Sequence, residues 1–256
     1  MGIKELREIN RKWGKMLYDD YVNEYLDYDT YWDYEPFTEA YWSQKHKIVF
    51  CNIEPYGNNE KKDKNNRRLT LEKLISLFKY NIPTYKFTTL FIYYLYNSLN
   101  GNKISYEQLS ALNFRNEDII SVLNFITYMN LRKDENPNDT SEAEIDILRN
   151  YYEKGKSAYP HIKNHHICNE ENRIYLREFI KALEPDIFII SHKWGYRILN
   201  NVYEIDIPWQ GSYRYENMLF TSVYHPAIRE SNEWKYQYII DRSTKIIADY
   251  NKGITK

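Results

Sequence analysis

Four short apolar runs restrict what this chain can fold into: KIVFCNI (residues 47 to 53), FITYMNL (125 to 131), DIFIISH (186 to 192) and LFTSVYHP (219 to 226). The first holds an uninterrupted apolar core, as a strand does when both faces of its sheet are covered, so it reads as a buried parallel strand. The second is rich in β-forming residues and ends in Asn130, ahead of the polar loop RKDENPNDTSE. Pro185 introduces the third.

Helical patterns fill the intervals. Trp13, Met16, Leu17, Tyr21, Tyr25 and Tyr28 recur at three- and four-residue spacing, so residues 3 to 30 read as an amphipathic helix docked by an aromatic stripe. Residues 69 to 124 read as four helical pieces broken at 81 to 83, 100 to 103 and 113 to 116, where Asn, Gly and Pro collect. Further helices are expected over 170 to 183, from 193 to 199, and over 230 to 248. With right-handed crossovers this alternation gives a three-layer α/β/α sandwich around a central four-stranded, mainly parallel sheet. An acidic, aromatic helical region (residues 1 to 45) is expected to pack on an α/β domain spanning 46 to 256.

At 256 residues the chain has ample core for one such domain. Its apolar share is 43%, but 27 tyrosines carry much of it, which favours rings with a hydroxyl to satisfy. No run is apolar enough to span a bilayer, and the start, MGIKELREINRKWGK, is charged, so a cytoplasmic protein without membrane contact is expected. Two cysteines, Cys51 and Cys168, are too few for a disulfide framework or a four-cysteine cluster. Residues 18 to 44 hold eight acids and no Lys or Arg; against a formal net charge of −1, their −8 leaves +7 on the remainder. This acidic stretch reads as a solvated helix face, with mimicry of DNA as the sharper alternative. A neutral overall balance does not argue against a polyanionic partner, because local potential steers it.

In a parallel sheet the ligand sits beyond the carboxyl ends of the strands. Those ends are Glu54-Pro55-Tyr56-Gly57, Asn130, Ser191-His192 and His225-Pro226. Taken singly, Glu54 reads equally as a helix cap or salt-bridged strand end, His225 as a turn histidine, Asn130 as a turn former, and both prolines as strand stops. The basic run Lys61, Lys62, Lys64, Arg67 and Arg68 follows the first of these ends, either as a solvated loop or as a phosphate contact.

As an ordered set, these ends resemble the uracil-DNA glycosylase superfamily. IVFCNIEPYG looks like its G-x-D-P-Y motif and SVYHPAIRE like its H-P-S-P-L motif, with FITYMN in place of the base-reading strand and PDIFIISHKWG in place of the third core strand. The likeness covers roughly residues 46 to 245 and implies a glycosylase-like α/β fold. By this resemblance Glu54 orients water and favours the cationic sugar, and His225 donates to the base oxygen as a neutral imidazole. Asn130 would read the edge of a flipped base, Tyr56 would wall the pyrimidine 5-position, and Pro55 and Pro226 would stiffen loops that pinch the DNA backbone.

The chain departs from the family at several points. Glutamate stands where the best-known members carry aspartate, Gly57 stands where they carry histidine, and residues 58 to 68 contain no aromatic to stack on the base. Ile228 or Arg229 takes the place of the leucine wedge. HIKNHHIC, with His161, His165, His166 and Cys168, matches no tight zinc spacing and reads as a surface or DNA-contacting loop, so no metal and no cofactor are expected. The implied function is a monomeric, monofunctional DNA glycosylase acting on uracil or a 5-modified pyrimidine, in base-excision repair or antiviral defence against phage DNA. The alternative is a catalytically inactive module of the same fold that binds modified or single-stranded DNA.

Overall fold

The computed structural model describes residues 4–9, 12, 39–52, 83–131, 170–191, 193–226 and 228–254. Among these, five strands form one sheet: β1 (Ile48–Asn52), β2 (Ile126–Asn130), β3 (Ile187–Ile190), β4 (Ser212–Tyr215) and β5 (Met218–Ser222). The strand order is β2-β1-β3-β5-β4, and every pairing is parallel except that of β4 with β5. Helical segments are α1 (Glu39–Trp42), α2 (Pro83–Leu99), α3 (Tyr106–Ala111), α4 (Glu117–Ile120), α5 (Glu170–Leu183), α6 (Lys193–Tyr203) and α7 (Asn232–Ile254), with a 3₁₀ turn over Ser121–Phe125.

The helix ends follow local chemistry. Pro83 opens α2, where its missing N–H costs nothing. After Leu99 the chain turns at Gly101, whose φ of +85° suits glycine, and its N–H returns to the Ser98 carbonyl. Ser105 then caps α3 in a reciprocal pair with Gln108.

Because side chains alternate across a strand, β1 serves two cores. Val49 and Cys51 face one with Met129, Phe188, Ile190 and Phe220, covered by α5 and α6; Leu6, Ile9 and Tyr41 belong to this same cluster. Ile48 and Phe50 face the other with Tyr128, Ile189 and Leu219, covered by α2 and α7. Helices therefore flank the sheet on both faces.

The expected four-stranded sheet is corrected to five strands. Ser212–Tyr215 turns back onto Met218–Ser222 through the two-residue loop Glu216-Asn217, with Glu216 at φ +51°. The last strand also ends earlier than the run LFTSVYHP, at Ser222, so His225 lies in the segment beyond it.

From β1 the chain crosses to β2 on one side; β3 then lies on the other side of β1, with β5 further out. The direction of winding reverses between β1 and β3. In open α/β sheets ligands bind beyond the carboxyl ends of the strands that flank such a reversal.

Candidate functional site

The edge of the sheet at that reversal is polar. Asn52, the last residue of β1, pairs in register with Asn130 of β2, and its carbonyl accepts from the Leu131 N–H at 3.0 Å. Its side-chain oxygen accepts from the Ser191 hydroxyl just past β3, and its amide nitrogen donates to the Tyr128 hydroxyl. All three residues are buried, so each polar group needs its partner. Tyr128 is fixed further by its ring, stacked on Phe50 with centroids 5.9 Å apart. The result is one hydrogen-bonded chain across the carboxyl ends of β2, β1 and β3. Asn52 stands two residues before Glu54 in the sequence.

His225 reaches the same edge from β5. Val223 N–H donates to the Ile190 carbonyl at 2.8 Å, carrying the β3–β5 pairing past the strand end. The Tyr224 N–H donates to the Tyr238 hydroxyl at 3.0 Å, and the His225 carbonyl accepts from Ile228 N–H at 3.0 Å, closing a turn through Pro226. The His225 side chain is half-buried, and desolvation lowers its pKa, so the imidazole is neutral at neutral pH. Pro226 is buried, Ile228 half-buried and Arg229 exposed.

Aromatic rings wall the segment before His225. Tyr224 packs edge-on against Trp209 at 5.5 Å and Trp234 at 5.6 Å, and Trp209 stacks on Tyr196 of α6 at 5.3 Å. The turn carrying Trp209 is tied to β5 by the Ser222 hydroxyl, which donates to the Pro208 carbonyl at 2.9 Å.

The structure thus brings the carboxyl ends of β1, β2 and β3 and the His225 segment to one edge of the sheet. Glu54, Pro55, Tyr56, Lys61, Lys62, Lys64, Arg67 and Arg68 lie outside the described residues, as do His192 and the group His161, His165, His166 and Cys168. Asn130 closes β2 at the expected strand end. Asn52, Tyr128, Gln210 and Tyr238 escaped the sequence reading; the one available signal was a single amide at the close of the apolar run IVFCN.

Cys51 is buried in the sheet, and burial pushes its thiol pKa well up, which leaves it an inert core group. Among the described residues no cluster of His, Cys, Asp or Glu is arranged to hold a metal ion, and no helix is long and apolar enough to cross a membrane. No model of a known protein family and no curated protein matches the chain.

Proposed function

We propose that this chain is a DNA N-glycosylase that extrudes a pyrimidine, uracil or a 5-modified base, and hydrolyses its bond to deoxyribose. The observation that carries the reading is the half-buried, neutral His225, presented at the carboxyl edge of a parallel sheet whose winding reverses between β1 and β3. In the reaction the C1′–N bond breaks and its electron pair leaves with the base. Water then adds its oxygen to C1′ and gives up one proton, which neutralises the departing base anion. His225 donates a hydrogen bond to the base oxygen, one that strengthens as negative charge develops there. Glu54, two residues beyond Asn52, supplies the anion that favours the sugar cation and aims the water. Asn130 and Tyr56 frame the base, and the basic run from Lys61 to Arg68 meets phosphates.

Duplex and single-stranded DNA carrying uracil, and DNA carrying 5-modified pyrimidines, would be incubated with the chain and scored for alkali-labile sites. Cleavage that disappears in Glu54→Ala and His225→Ala is the expected result. Salt-sensitive binding without any abasic site overturns the enzyme reading and leaves a DNA-binding module.

A further inference from the structure

Helix α7 grips the segment that presents His225 through Tyr238, in its second turn. The Tyr238 hydroxyl accepts from the Tyr224 N–H at 3.0 Å and donates to the side-chain oxygen of Gln210. One oxygen therefore ties together the turn before β4 and the residue immediately ahead of His225. Its ring is fixed independently, stacked on Trp234 at 5.0 Å with planes 8° apart and on Phe87 at 6.1 Å. Burial pushes the phenol pKa up to about 12, so the hydroxyl keeps the proton it donates.

One turn along the same face, the buried Arg242 donates to the Gly211 carbonyl at 2.6 Å and to the Thr221 hydroxyl. The same carbonyl accepts from the Ser222 N–H at 3.0 Å. The turn that supplies Gln210 is thereby locked to β5 by bonds separate from those of Tyr238, and the anchor of the His225 segment is itself anchored.

We infer that Tyr238 is a positioning residue for His225, its hydroxyl fixing the backbone that carries the imidazole. This rests on the reading of His225 as the group that faces the base. A purely packing role would need the ring alone, whereas positioning needs the oxygen. Tyr238→Phe separates the two, because it keeps the stack and removes only the hydroxyl.

The test uses the full chain and three readouts: hydrogen exchange at the Tyr224 amide, the His225 ring resonances identified by their loss in His225→Gln, and kcat and KM for base release. Tyr238→Phe is expected to speed Tyr224 exchange about tenfold, shift or double the His225 ring signals, and lower kcat about tenfold with KM little changed. Wild-type His225 signals and wild-type kcat in that variant overturn the inference. Should Tyr238→Phe not fold, Gln210→Ala, which removes the hydroxyl's acceptor, must produce the same displacement of the His225 signals, and unchanged signals there also overturn it. If the wild-type chain releases no base, the glycosylase reading falls, while the resonance and exchange data still decide whether Tyr238 positions His225.

Discussion

The hydroxyl of Ser191 donates to the side-chain oxygen of Asn52, and this bond joins the carboxyl ends of the adjacent parallel strands β3 and β1. The Asn52 amide nitrogen serves Tyr128 at the same time, so a single side chain satisfies two buried hydroxyls. Asn52→Ala is expected to cost about 2–4 kcal/mol and Ser191→Ala about 1–2 kcal/mol, because each removes a hydrogen bond between buried polar groups and the first also cuts away packed side-chain atoms. Urea unfolding of both single variants and the double variant should show coupling of at least about 0.5 kcal/mol. Additive losses would mean that the bond does not hold the two strand ends together.

His225→Ala is expected to lower base release by about a hundredfold or more, as for loss of a donor aimed at developing charge. The protein should stay folded, since this side chain is only half-buried. Circular dichroism and single-turnover kinetics on the same preparation check both halves of the statement.

Two histidines make stability depend on pH. Desolvation lowers the pKa of His225; it also lowers that of His46, aided by Lys45 and opposed by Asp186. The unfolded chain takes up protons at these positions as pH falls through about 6.5, while the folded chain resists them. Stability is therefore full above that pH and declines below it. Melting temperatures measured from pH 8 down to pH 5 should fall through this window and flatten in a His46→Gln, His225→Gln double variant.

Two glycines meet close neighbours with different consequences. A Cβ on Gly211 would collide with Cγ of the Pro208 ring, and one on Gly253 with the Arg214 guanidinium. A proline ring cannot swing aside, so Gly211→Ala is expected to cost about 1–3 kcal/mol and to weaken base release through the Gln210 turn. Arg214 can move away, giving up its 2.8 Å bond to the Tyr250 carbonyl, so Gly253→Ala should cost only about 0.5–1 kcal/mol. Thermal unfolding that ranks the two variants in reverse would contradict the structure.

Burial on both faces left its mark on composition, which is why β1, β2, β3 and β5 and the span of α5 were legible in the sequence. β4 was not: its four residues SYRY are mostly half-exposed, and their pairing depends on a positive φ at Glu216 that no residue type there announces. In the candidate site, His225 was visible as a His-Pro pair past an apolar strand, yet its half-burial and its anchor on Tyr238 come from tertiary packing. Asn52 and Ser191 are 139 residues apart, beyond the reach of any local pattern. Glu54, which the family resemblance pairs with His225 in the chemistry, lies outside the described residues.

The position of β1 between β2 and β3 also sets a schedule for synthesis. The strand at the middle of these pairings is translated before either neighbour, so a nascent chain carries this buried, largely apolar ribbon with both hydrogen-bonding edges open. Asn52 cannot be satisfied until Ser191 has cleared the ribosome, and that interval is when a chaperone would find the chain most worth holding.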